Sequence, residues 1–305
     1  MSGIWTTLAR WFDSQADISS LDESSTEIDW IRCIPFFALH FSCLGALWVG
    51  ASSTAVTVAL VLYLLRMFAI TAFYHRYFSH RAFKTSRWFQ FIFAVIGASS
   101  IQRGPLWWAA HHRNHHRVSD LPEDTHSPIQ HGFIWSHLLW FSCQSNFRTK
   151  TELIEDFNRF PELRLIDRFD ILSPLALGIL LFITGEVLNS FFPQLGTSGM
   201  QLLVWGLIST IILFHATFAT NSLAHLFGRR RYETGDFSRN NFCMALLTMG
   251  EGWHNNHHHY PSSVQQGFFW WEIDITYWIL VLMSKVGLVW DLRLVPEKAK
   301  HTSLR

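Results

Sequence analysis

Two long stretches of the chain are almost without charge. From Cys33 to Leu65 there is no Lys, Arg, Asp or Glu, and from Ile171 to Phe227 the one charged residue is Glu186. Each stretch is too long for one membrane crossing, which takes roughly 20 apolar residues. Each is also interrupted by small and polar residues, "GASST" from Gly50 in the first and "GEVLNSFFPQLGTSG" from Gly185 in the second. The pattern therefore predicts two antiparallel helical hairpins, with spans at 33–50, 54–73, 171–191 and 201–221. Neither tip holds Lys or Arg, so the positive-inside rule puts both tips outside and the termini and middle segment in the cytoplasm. The alternative, a soluble helical protein with two buried hairpins, fits poorly with two uncharged runs of this length.

Two further apolar stretches are not counted as spans. "WFQFIFAVIGASSIQ" between Arg87 and Arg103 is too short, and "FFWWEIDITYWILVLMSKVGLVW" carries Glu272, Asp274 and Lys285. Both are expected to lie in the membrane interface or packed beneath it. The fold class that follows is an all-α integral membrane protein, four transmembrane helices in two hairpins with a cytoplasmic helical cap. A cytoplasmic arm, 1–32, whose first part forms a short interfacial helix, precedes a single domain, 33–305, whose cap comprises 74–170 and 222–305. The expected setting is multi-pass, in a bacterial inner membrane.

Composition supports this reading. Charged residues make up 15% and aromatic residues 16% of the 305, including 15 Trp and 27 Phe, well short of the roughly 25% charge of a soluble domain. The net charge of +1 and the lack of a basic tract give no sign of a nucleic-acid partner. Four dispersed cysteines with no CxxC pair argue against both a disulfide scaffold and a thiolate zinc site. What stands out is the count of 17 histidines.

Several of these fall into four clusters, all on the expected cytoplasmic side: "HRYFSH" (His75, His80), "HHRNHH" (His112, His115, His116), "NSLAH" (Asn221, His225) and "HNNHH" (His254, His257, His258). The two triplets are related as i, i+3 and i+4, which a helix places on one face. Asn221 and His225 are one turn apart. His75 and His80, about 140° apart around an α-helix, suit a helix that is ending. The clusters offer two, three, one and three imidazoles, nine in all. A first-row ion takes roughly four to six ligands, so nine suit two ions. Neutral nitrogen donors suit iron or zinc equally, so the ligand type leaves the metal open. Asn221 is placed to hold a metal-bound water and so leave an exchangeable position. A ligating imidazole commonly gives its other N–H to a carboxylate; Glu251 and Asp124 are the candidates, both explicable also as solvated loop acids. His259 and the remaining histidines lack the spacing and are left outside.

These boxes, with the neighbouring "THSP", "GFIWSH" and "GEGWHNNHH", resemble the membrane fatty acyl desaturases, the acyl-CoA (stearoyl-CoA, delta-9) type in particular, over roughly Phe36 to Trp290. The resemblance implies two iron ions held by His75, His80, His112, His115, His116, His225, His254, His257 and His258, with Asn221 at the position of a water. It implies O2 as co-substrate, a bent acyl tunnel shaped at Gln102, Trp108 and Thr217, and a separate electron donor such as a ferredoxin or a cytochrome b-type protein with its reductase. One departure concerns the acyl carrier. Animal members have an Arg-Lys pair, contacting CoA phosphates, where this chain has Gln144 and Ser145, with Arg148 and Lys150 a few residues on. The substrate is therefore expected to be a long-chain acyl-CoA or an acyl-lipid of the membrane. Two other readings stay open, a membrane di-iron hydroxylase of lipids, sterols or alkanes, and a metal transporter. Transport normally needs ionisable groups within the spans, and apart from His40 and His215 no histidine or acid is placed there to form a pathway.

Overall fold

The structure is a computed structural model that describes residues 9–16 and 25–302. Of the interfacial helix expected in the arm, residues 9–12 are helical, whereas 1–8 lie outside the described residues. Among the described residues, four helices are long and apolar enough to cross a membrane, Trp30–Val49, Ser53–Ser79, Leu172–Phe191 and Pro193–Leu226. The sequence dictates their ends. Asp29 accepts a hydrogen bond from the Arg32 N–H, and Ser52 and Ser198 cap the second and fourth helices in the same way, at Ala55 and Gln201. Gly50 turns the first hairpin at φ +64°, a conformation glycine adopts without a steric cost. The second hairpin closes tightly, since a Cβ on Gly185 would lie 2.4 Å from the Ser198 carbonyl oxygen and 2.6 Å from Gly199 Cα.

The second and fourth helices run beyond the expected 54–73 and 201–221, and these extensions carry His75 and His225 into the cap. The end of the second is a π-helix, Ala69–Ser79, with the His80 N–H on the His75 carbonyl at 3.2 Å. A residue five positions on therefore returns to nearly the same side. The two rings, expected far apart around an ending α-helix, have centroids 5.0 Å apart.

The cap is built from helices Arg87–Ala98, Pro105–Val118, Pro161–Arg168, His254–His259 and Ile275–Lys285, with a two-residue antiparallel ladder joining Lys84–Thr85 to Val289–Trp290. Both short apolar stretches of the sequence are cap helices. Arg87–Ala98 packs on the π-helical end of the second span, and its Phe93 stacks on Phe73 at 4.0 Å. The acids beside Ile275–Lys285 face inward: Asp274 pairs with the buried Arg76 guanidinium at 3.0 Å. Polar groups within the spans are satisfied by one another, as a low-dielectric setting requires. Arg66 donates to Thr210 Oγ1 at 2.6 Å and Ser209 Oγ at 2.8 Å, and His40 Nε2 lies 3.3 Å from His215 Nε2.

Candidate metal centre

The four histidine clusters, far apart in sequence, converge between the ends of two spans and two cap helices. Their ring nitrogens form two groups. One comprises His75, His80, His112, His116 and His257, and the other His115, His225, His254 and His258. All nine candidate histidines are thus brought together, divided five and four. The division cuts through both triplets. On helix Pro105–Val118, His112 and His116 serve the first group and His115 the second; on helix His254–His259, His254 and His258 serve the second and His257 the first. At 100° per residue, i and i+4 lie on one side of the shared face and i+3 on the other. The one face on which the spacing places each triplet therefore straddles two groups.

The donor geometry fits metal ions. Nε2 atoms lie 2.9 Å apart for His75–His257, His80–His112 and His257–His116, and 3.0 Å apart for His116–His112 and His225–His254. Neighbouring nitrogens about 2.0–2.1 Å from one ion are about 2.9 Å apart when they subtend roughly 90°, against about 3.4 Å in a tetrahedron. His112 Nε2 and His257 Nε2 each meet two other nitrogens. One imidazole proton cannot serve two lone pairs, and His258 Nε2 is buried with no hydrogen-bond partner. Nitrogens so arranged are satisfied by a cation. Burial, followed by the neighbouring imidazoles, holds His80, His112, His116, His254 and His257 well below the ordinary histidine pKa, so they are neutral donors. Burial brings His258 down to about 4, with Asp236 opposing.

A second layer orients the rings. Glu251 pairs with His75 Nδ1, and Asp124 Oδ2 lies 3.0 Å from His115 Nδ1, so both carboxylates singled out from the sequence stand behind candidate ligands. Two equivalent acids have no spacing signal. Asp120 Oδ2 is 2.8 Å from His225 Nδ1, and Asp236 Oδ2 is 2.6 Å from His258 Nδ1. The acids are distributed unevenly. Asp120, Asp124 and Asp236 surround the group of four, and around His115 they outweigh burial and raise its pKa. Glu251, behind the group of five, is shared with Arg76. His126, passed over in the sequence, sits beside Asp124 with its ring 4.3 Å from that of His115. His259 points away, stacked on Tyr232 at 4.0 Å with Nε2 on the Ala299 carbonyl.

A cavity of about 180 Å³ reaches the group of five at His112, and Asn221, Gln102, Trp108 and Thr217 also line it. Gln102 Nε2 donates to Thr217 Oγ1 at 2.8 Å, and Trp108 stacks on His112 with centroids 5.0 Å apart. Phe36, Phe141, Phe214 and Phe218 form an aromatic wall. Arg32, Arg103 and Ser142 also line the cavity; two and three residues past Ser142, the Gln144 and Ser145 N–H groups bond to the carbonyls of Glu27 and Ser25.

Residues 51–288 match the family described as fatty acid desaturase. The chain is 34% identical to the sn-1 stearoyl-lipid 9-desaturase of Anabaena variabilis, over 89% of this chain and 96% of that protein. It is 33% identical to the acyl-CoA C20 Delta5-desaturase of Anemone leveillei, over 92% and 89%. With the palmitoyl-monogalactosyldiacylglycerol delta-7 desaturase of Arabidopsis thaliana it shares 35% identity over 81% of this chain, but spans only 64% of that protein. Two convergent groups of buried imidazoles at an aromatic cavity, beneath four apolar helices, agree with these matches, and the chain belongs to the fatty acid desaturase family.

Proposed function

We propose that the protein is an oxygen-dependent desaturase that introduces a cis double bond into a saturated acyl chain, delta-9 by analogy with its relatives, at a di-iron centre held by the nine histidines. The observation that carries this reading is the pair of imidazole groups, five and four, the first of which reaches the wall of an aromatic cavity through His112. The overall reaction takes one O2, two electrons and two protons with one –CH2–CH2– unit, and releases –CH=CH– and two H2O. A methylene C–H bond is beyond general-base chemistry, and iron, when bound, supplies the oxidising power.

The chain's own residues do the rest. Asp120, Asp124, Asp236 and Glu251 hold the imidazoles in one tautomer and orientation. Asn221, on the cavity wall one turn before His225, holds a water beside the four-histidine group and leaves that side exchangeable. The aromatic wall excludes water, and the Gln102–Thr217 hydrogen bond with the stacked Trp108 bends the cavity, so that one pair of carbons is presented to the centre. Electrons come from a separate carrier of ferredoxin or cytochrome b type, on the cytoplasmic face. The acyl carrier is a CoA thioester or a glycerolipid, as among the relatives.

Expression in a host lacking unsaturated fatty acids, followed by mass spectrometry of its lipids, tests the proposal. New monounsaturated chains with the wild type, lost with His257→Ala, are expected. Hydroxylated chains, or unchanged lipids when an electron donor is co-expressed, would overturn it.

A further inference from the structure

The fourth span ends at Leu226, and Arg229, Arg230 and Arg231 follow at once. They line a second cavity, of about 690 Å³, together with Trp253, Phe242 and Trp271. Arg231 is held from inside, since Glu272 accepts from its guanidinium and its Cζ sits 4.8 Å over the Phe269 ring. Glu272, the acid in the lining, is fully engaged, accepting also from Asn256 Nδ2 and the Phe268 N–H. Among the described residues Arg229 and Arg230 have no carboxylate partner. The Nε donors of Arg230 and of Arg239, which packs against Gly228 of the same lining, are buried without an acceptor. Buried donors seldom remain unmet, and an anion rich in oxygen in this groove would meet them.

Its position identifies the anion. One wall is formed by Asn241 and Phe242, at the start of the helix Phe242–Leu247, whose Phe242, Leu246 and Leu247 are exposed. Tyr63, on the second span, donates to the Leu247 carbonyl at 2.6 Å, so that wall continues the lipid-facing surface. Trp270 is 88% exposed beside Trp271, as indoles stand in an interfacial belt. A basic pocket at the cap end of a span, with one apolar wall, matches a lipid headgroup. We propose that this groove binds the phosphate of an anionic glycerophospholipid, through Arg229, Arg230 and Arg239. The site is separate from the acyl cavity. It is linked to the metal centre by the short helix His254–His259, where Asn255 Oδ1 accepts from the Arg231 and Tyr232 N–H groups, both at 2.7 Å. A bound headgroup braces the segment that supplies three of the nine imidazoles.

The test uses the full purified chain in nanodiscs of phosphatidylcholine alone or with phosphatidylglycerol. The anionic lipid is expected to raise the thermal midpoint by several degrees and to stay bound in native mass spectrometry. Arg229→Gln and Arg230→Gln should each weaken that binding about tenfold, as the loss of one charge-assisted hydrogen bond predicts. Arg230→Lys, which keeps the charge but not Nε, should fall between. No difference between the two nanodiscs for the wild type overturns the proposal whatever the variants do. An equal shift from inorganic phosphate in detergent would make the groove a free-anion site. Loss of binding to an acidic electron carrier in the variants, without any lipid effect, would make it a protein dock. Either result overturns the lipid assignment.

Discussion

Asp120 links three segments through one carboxylate, and its removal tests whether the centre is divided as the nitrogens indicate. Oδ2 lies 2.8 Å from His225 Nδ1 and accepts from the Phe237 N–H at 2.8 Å, and Oδ1 accepts from Ser127 Oγ at 2.5 Å. In Asp120→Asn the amide oxygen can stay on His225 and Phe237, because the amide NH2 can face the Ser127 hydroxyl, which also accepts. The number of hydrogen bonds is kept and the charge is lost. A charge-assisted bond contributes about 1.5–3 kcal/mol and a neutral one about 0.5–1.5, so the loss is about 1–1.5 kcal/mol, or roughly tenfold in metal affinity. That agrees with the roughly 10–100-fold effect of such outer partners. In Asp120→Ala three donors, on His225, Phe237 and Ser127, lose their acceptor, at about 1–3 kcal/mol for each that is left unsatisfied. The assay is metal per chain after equilibration with chelators of graded strength. The expected result is a two-step profile. One ion of the pair leaves about tenfold more readily in Asp120→Asn and is absent from Asp120→Ala, while the ion at the five-histidine group stays. Asp236→Asn should loosen the same ion and Glu251→Gln the other. If both ions leave together from a folded Asp120→Asn, or neither does, the five-and-four division is wrong.

Three further outcomes are expected. Burial, partly offset by Arg103, raises the Asp170 carboxyl to about 6, above its ordinary value of about 3.9. The folded state therefore holds the proton over the interval in which the unfolded chain has released it, and ionised Asp170 disfavours folding above pH 6 by at most about 3 kcal/mol. Asp170→Asn should raise the thermal midpoint at pH 7.5 relative to wild type, with the gain shrinking as pH falls through 6 towards 4; a gain independent of pH would refute this. In Gly185→Ala the added Cβ would meet backbone of the facing helix at 2.4 Å, so overpacking should destabilise by about 1–3 kcal/mol, read as a lower thermal midpoint, and a midpoint at the wild-type value would count against the tight hairpin. Thr217→Val removes the acceptor of the Gln102 side chain; lipid profiling should show altered double-bond positions among the products, and an unchanged distribution would exclude this pair from shaping the cavity.

Local chemistry made much of this protein legible in its sequence. Uncharged runs interrupted by small residues have few solutions other than membrane hairpins, because backbone polar groups in lipid must be satisfied within the helix. The i, i+3, i+4 spacing of the triplets and the single turn between Asn221 and His225 depend on helix geometry alone, and that singled out seven of the nine histidines while setting His259 apart. The hydropathy of the second span ends before its helix does. No residue type announces the π-register from Ala69 to Ser79, which depends on packing against the cap.

Other features belong to the tertiary structure. Asp120 is 105 residues from His225, and Asp236 is 22 from His258; no periodicity relates positions joined by chain folding. Nor does a triplet reveal that its i+3 member serves a different centre from its i and i+4 members, since that depends on what faces the helix from either side. The arginines after Leu226 read as an ordinary positive-inside flank. Only the buried, unmatched Nε donors beside an exposed apolar wall make them a site. Sequence alone picked out the nine imidazoles that the fold brings together, because spacing along a short segment is a local property. Their division into two centres, the carboxylates behind them and the groove beside them were decided by contacts between distant segments, which the order of residues does not record.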